Sequence, residues 1–273
     1  MHVLSKPGHL TGFCFFLFTL LTAPQQALSD ELDDAIGVGY LLNSAVYAGQ
    51  DAYGEVVPAL SFEMGNFYGR GNVLGFYFSR FGRVGFSLEA TMGTLELDTA
   101  DIDNSQSDLY LAIGDREAAV EAGMAFHFWS QVGLIEFSWW RDVSDTHDAH
   151  RSRTKISRNI AETGDMRIVP GLFVNYYSAK YNRYYFTVTE QQNRDAAAES
   201  GNTYENFSAF RPEYQPGNSG HVGVDLLIEY PMSQHTLATF YYSWEDLTGP
   251  WETSPLVEDS TLSQFMIGIS TRF

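Results

Sequence analysis

Two imidazoles and two carboxylates fall close together in Asp145-Thr146-His147-Asp148-Ala149-His150. These are the donor types of a metal site. Arg151 and Arg153 follow at once, and an ordinary acidic-basic loop accounts for the same residues. His127 and His221 lie in alternating stretches that carry many acids. A general base needs a hydrogen-bonded nucleophile and an orienting group, and no nucleophile motif accompanies either histidine. The expectation is a protein that is not an enzyme, with no catalytic, metal or cofactor residues to assign and no cofactor. Trp129, Trp139, Trp140, Trp244 and Trp251 would suit sugar stacking, but they sit near expected turns and rims, where tryptophan anchors an interface.

The elements that must carry these residues are strands. Val222, Val224, Leu226, Ile228 and Tyr230 alternate with His221, Gly223, Asp225, Leu227 and Glu229. Phe265, Ile267, Ile269, Thr271 and Phe273 alternate with Gln264, Met266, Gly268, Ser270 and Arg272. The same period of two runs through Val84–Ala90, Val120–Phe128 and Ile36–Asn43. It is the signature of a sheet with two unlike faces. A β-sandwich alternates as well, but its strands average about 5–6 residues. Runs of about nine or more suit strands that cross a membrane.

Composition points the same way. Charged residues are 18 % and aromatics 15 %, with 16 Tyr and 20 Phe. Soluble domains carry about 25 % charge. Lipid-facing walls exclude charge, and aromatic girdles mark their borders. The net charge of −18 excludes a nucleic-acid partner, which needs a basic footprint. The acid excess reads as solvated loops and a polar lumen. At the start, Lys6 precedes the apolar run Phe13–Leu21, with Ala27-Leu28-Ser29 before Asp30. This is the layout of a cleaved signal peptide over residues 1–29, leaving 30–273 as the barrel domain. The run is too short to span a bilayer as a helix, which takes about 20 residues. The single Cys14 lies within it, so the exported part has no disulfides.

The fold class expected is all-β: an antiparallel transmembrane β-barrel of about 10 strands in the cell outer membrane. The strands fall near 35–48, 54–80, 83–97, 116–129, 131–143, 150–160, 166–177, 220–231, 234–248 and 261–273. The second segment is too long for one crossing. A turn within Gly65–Gly71 changes the count, with parity restored by a strand at Tyr184–Thr189, so 12 strands is the alternative. Residues 178–220 hold eight aromatics and read as a lumen plug or an external platform, with little or no open conductance expected. Lipid is the surrounding partner. The terminal strand through Phe273 is expected to be the signal read by the barrel assembly machinery and to close on the first strand.

Several stretches resemble the MltA-interacting protein / OmpV family of outer-membrane proteins. Gly37-Val38-Gly39-Tyr40, Tyr47–Tyr53 and Pro58 are similar to its opening strands and the loop between them. Tyr184–Val188 resembles its Tyr-Tyr-Gly-Val segment, with Phe186 and Thr187 departing from it. Leu226–Pro231, Trp244 and Ser254-Pro255-Leu256-Val257 resemble its later strand, turn, strand and loop. The resemblance implies an outer-membrane barrel. It also implies a scaffold that links a murein transglycosylase and a murein synthase, or a porin-like or adhesin-like protein binding through external loops. A barrel-rim enzyme is the remoter alternative. The only surfaces on the periplasmic side are short turns and the acidic segment Asp30–Asp34.

Overall fold

The computed structural model describes residues 34–272, apart from 104–105, 164–165 and 248. The expected signal peptide, Asp30–Asp33 and Phe273 lie outside the described residues. Thirteen strand segments form one sheet: β1 (Ala35–Asn43), β2 (Tyr53–Met64), β3 (Phe67–Gly71), β4 (Val73–Phe81), β5 (Val84–Met92), β6 (Val120–Ser130), β7 (Gly133–Asp142), β8 (His150–Ser157), β9 (Ala161–Thr163), β10 (Met166–Tyr177), β11 (Ser219–Pro231), β12 (Thr236–Asp246) and β13 (Thr261–Arg272). All pairings are antiparallel, and β13 pairs with β1 from Arg272↔Ala35 to Gln264↔Asn43, which closes the barrel. Closure leaves no open edge along that seam.

β8 and β9 are two pieces of one crossing, since both pair with β10. Pro170 of β10 explains the break. It offers no N–H, and its carbonyl takes a bond from Arg158 N beyond the end of the β8 ladder. The barrel therefore has 12 crossings, which corrects the expectation of about ten and bears out the alternative. The two extra strands come from the long second segment. Gly65-Asn66 and Gly71-Asn72 are both turns, and β3 stands between them. Gly65 and Gly71 adopt φ of 62° and 59°, where a side chain would be strained. Parity needs no strand at Tyr184–Thr189, which begins inside a helix.

Alternation does what the pattern predicts. Ile36, Val38, Tyr40 and Leu42 of β1 are exposed on the outer wall, and so are Leu88, Met124, Val222 and Ile267. Their neighbours turn inward, with Glu121, His127, His221, Asp225 and Glu229 all buried. The connections are unequal at the two ends. One end has turns at 65–66, 82–83, 131–132 and 232–235, and β1 and β13 start and finish there. The other end carries the long connections 44–52, 93–119, 143–149, 178–218 and 247–260.

Those connections fold on each other. Helices α1 (Ser107–Tyr110), α2 (Ala179–Phe186), α3 (Glu190–Ser200) and α4 (Tyr204–Phe210) belong to them. Ser178, Thr189 and Thr203 cap α2, α3 and α4 through side-chain oxygens. Thr189 and Gln192 form a reciprocal capping box, and Gly201 ends α3 in the left-handed conformation.

Candidate functional site: a filled lumen under an aromatic cap

The lumen is occupied by side chains paired in charge. Arg70 Nη1 donates to Glu136 Oε1 at 2.7 Å, and Arg80 Nη1 to Glu63 Oε1 at 2.5 Å. Higher in the barrel Arg151 meets Glu121 at 2.6 Å. Asp225 accepts from both Lys155, at 2.7 Å, and Arg153, at 3.3 Å. Arg167 meets Glu229 at 2.7 Å. Asn175 Nδ2 donates to Glu245 Oε2 at 2.9 Å, and His221 Nδ1 lies 3.2 Å from Glu245 Oε1. Buried charges are tolerated when paired and hydrogen-bonded. Here the pairs come from adjacent and facing strands, so they tie the wall together from inside.

His127 lies at the centre of one such chain. Its Nε2 is 2.8 Å from Ser87 Oγ, and its Nδ1 is 3.2 Å from Glu136 Oε1. Serine, histidine and carboxylate in that order are the elements of nucleophilic catalysis. Sequence reading missed the serine, because Ser87, His127 and Glu136 sit on three different strands. The surroundings differ from those of a reactive site. Ser87 and His127 are fully buried, and the Tyr68 hydroxyl covers Ser87 Oγ at 2.8 Å while donating to Glu89 at 2.6 Å. Arg70, Tyr77 and Trp129 close the remaining sides.

The cap lies across the loop end. Its core is apolar and aromatic: Tyr47, Tyr177, Tyr181, Tyr185, Phe186 and Trp251, with Leu95, Leu97, Leu247 and Leu256. Trp251 is 1 % exposed; its ring stands 4.5 Å from Phe186, 4.8 Å from Tyr177 and 4.4 Å from His221, and its Nε1–H donates to Asn182 Oδ1 at 2.7 Å. His221 thus marks the junction of cap and lumen. Burial pushes the Tyr181 and Tyr185 hydroxyls well above the usual phenol range.

Arg211 fixes the outer helices. It is fully buried and donates to the carbonyls of Leu109 (2.6 Å), Leu111 (2.8 Å) and Gln192 (3.1 Å) and to Asn193 Oδ1 (2.8 Å). Desolvation pushes its pKa down to about 10, so it remains a cation at neutral pH.

The Asp145–His150 cluster does not converge. His147 is buried among Tyr181, Tyr184 and Tyr185, and its Nδ1 accepts from Ala149 N at 3.1 Å. Burial lowers its pKa and outweighs the pull of Asp142 and Glu121. His150 belongs to β8 and stacks beside Trp139 and Tyr176. Asp148 pairs with Arg141 and Lys180 at the surface, which lowers its pKa to about 2. The tryptophans divide. Trp139 is exposed on the outer wall, as expected of an anchor. Trp129 packs beside His127 and Tyr77, Trp140 is buried with Arg151 over its ring, and Trp251 is in the cap.

The family model for "MltA-interacting protein MipA" matches residues 36–273, the whole barrel. The chain belongs to that family. It is 25 % identical over 257 residues to the outer membrane protein YiaT of Escherichia coli O157:H7, covering 94 % of this chain and 98 % of that protein. A 24 kDa outer membrane protein of Pasteurella multocida is 24 % identical over 88 % of this chain and 91 % of its own. Among solved structures, a loop-deletion form of OmpT from Vibrio cholerae matches 88 % of this chain and 98 % of its own, at 8 % identity and a TM-score of 0.36. OprG of Pseudomonas aeruginosa matches 91 % and 99 %, at 11 % identity and a TM-score of 0.29. The protein is an outer-membrane β-barrel. By the rule for such barrels its short turns face the periplasm and its capped end faces outward.

Proposed function

We propose that the barrel binds and anchors rather than transports or catalyses, and that its capped external face is the working surface. The observation that carries this is the filling of the barrel, with paired charges in the lumen and an aromatic core above them. A conducting pore needs a water-filled lumen, and barrels with open channels have about 16–18 strands. The external connections, by contrast, are built as a folded unit with capped helices and a buried arginine clamp. Ordered loops on a rigid scaffold are where binding residues collect. This reading favours an adhesin-like role. Ser87, His127 and Glu136 serve as lumen hydrogen-bond partners, so an active-site-directed fluorophosphonate should leave Ser87 unmodified. Labelling of Ser87 would establish a hydrolase instead.

A second reading is the murein-enzyme scaffold, favoured by the family's description as MltA-interacting. Its contact surface would be the periplasmic turns and the segment before β1, where Asp34 Oδ1 accepts from Glu63 N at 2.6 Å. Crosslinking in intact cells separates the two. Reagents placed in the 179–218 cap should capture an external ligand or surface. Capture of a murein transglycosylase or synthase from the turns at 65–66 or 131–132, with nothing at the cap, would replace the first reading by the second.

A further inference from the structure

The wall is incomplete at one place in its outer half. The β3–β4 hairpin stops at Gly71-Asn72, and β3 joins β2 only from Leu60↔Gly71 to Met64↔Phe67. Among the described residues, Tyr53–Ala59 of β2 pair with β1 on one side and with no strand on the other. Beyond the hairpin tip the next wall element is the end of β5 and the extended stretch 93–97, which bonds to the β6 side through Gly93 N–Ala119 O and Leu97–Arg116. Tyr53 OH reaches across to Thr94 O at 3.5 Å.

Three further observations mark a free edge. Three residues of this stretch are exposed in succession, Gly54, Glu55 and Val56, with Val56 at 74 %. Pro58 stands in this half of the strand, and proline is confined to edges, strand starts and bulges. Glu55 places a charge on the same stretch, another device of exposed edges. A row of bare backbone N–H and C=O groups cannot rest against hydrocarbon, so it must meet water or another backbone.

We propose that Tyr53–Ala59 is a docking strand for an extended peptide that presents basic side chains on one face. A backbone added to this edge satisfies the free N–H and C=O groups, as in other cases of strand addition. The Tyr53 ring spans the two flanks, on the order of 10 Å or two interstrand spacings, so one incoming strand fits there once that ring turns aside. Charge selects its sequence. Glu55 stands on the β2 flank and the exposed Glu96 on the 93–97 flank, close enough for one carboxylate to act on the other. Lysines on one face of an incoming strand would meet Glu55, its apolar alternate face would continue the outer wall at Val56, and Glu96 adds negative charge at the far flank. This site lies on the barrel's side and is separate from the external cap.

The test uses the full protein in lipid nanodiscs and amide hydrogen exchange. The probes are a seven-residue alternating Lys/Val peptide and its Glu/Val counterpart. Without peptide, alternate amides of Tyr53–Ala59 should exchange faster than any of Ile36–Leu42. The Lys/Val peptide should slow them at least about tenfold, while the Glu/Val peptide leaves them unchanged. The exposed pair Glu55→Lys and Glu96→Lys should reverse that preference, and its unchanged shift on heating in gels would show the barrel intact. Equal protection by both peptides, no protection by either, or amides already protected in the bare protein would each overturn the proposal.

Discussion

The lumen and the cap solve opposite problems with the same chain. In the lumen charged side chains are paired inside the wall, with aromatics such as Tyr68 and Tyr77 among them, while the outer face turns apolar residues to lipid. In the cap the order is reversed, with Trp251, Phe186 and Leu256 inside and Asp148, Lys180 and Arg194 at the surface. Each region has the polarity its surroundings demand. The barrel sits in hydrocarbon and hides its polar groups, while the loops sit in water and hide their apolar ones. The outer half is thus built like a small soluble domain on a membrane scaffold, and its stability should be separable from that of the barrel.

Perturbing the lumen should have the largest effect. Asp225→Ala leaves Lys155 and Arg153 facing each other without their shared carboxylate. Breaking a buried ion pair costs about 3–5 kcal/mol. Urea unfolding of the whole barrel should shift accordingly, and an unchanged midpoint would deny the lumen network a structural role.

Trp251→Ala tests the other side of the comparison. Removal of a buried tryptophan costs about 3–5 kcal/mol, but here the loss should stay in the cap. Exchange protection of residues 179–218 should fall while β11–β13 keep theirs. Joint loss in both regions would mean that cap and barrel form one cooperative unit.

Arg211→Met is milder and more local. It leaves the carbonyls of Leu109, Leu111 and Gln192 without this donor, at about 1–3 kcal/mol for each one left unsatisfied. Limited proteolysis should then cut between α3 and α4 first. A cleavage pattern identical to wild type would remove Arg211 from its role as a clamp.

The smallest effect expected is that of pH on His147. Its folded pKa lies below the unfolded value because burial disfavours the imidazolium. In that window the unfolded segment binds more protons than the folded one, so stability rises with pH. The contribution is complete above the ordinary histidine pKa of about 6.5 and is lost as pH falls below it. Protection factors in residues 143–149, taken relative to the intrinsic exchange rate at each pH, should fall on acidification in wild type and lose that response in His147→Phe.

The comparison also explains what the sequence can and cannot disclose. Strands with unlike faces write themselves into the sequence every second residue, so 222–230 and 265–271 are legible from their residues alone. The turn dipeptides Gly65-Asn66 and Gly71-Asn72 are equally present, six residues apart, but the five-residue β3 between them is too short to show a period. The cap is legible only as aromatic content. Its apolar residues come from five connections and share no spacing, although Thr189–Gln192 with Gly201 spells out one helix. The Ser87–His127–Glu136 chain follows from register between β5, β6 and β7, which no single strand's sequence contains. The six-residue acidic and histidine cluster at 145–150 stands out by proximity in sequence, and the fold turns its two imidazoles to different sides of the wall.

Planar-bilayer recording decides whether the barrel is closed along its axis. The wild-type protein should show no stable channel openings. A form in which a short Gly/Ser linker replaces residues 179–218 should gain at most small, flickering currents through the ion-paired lumen. Large and steady openings from the intact protein would contradict the account and make it a porin.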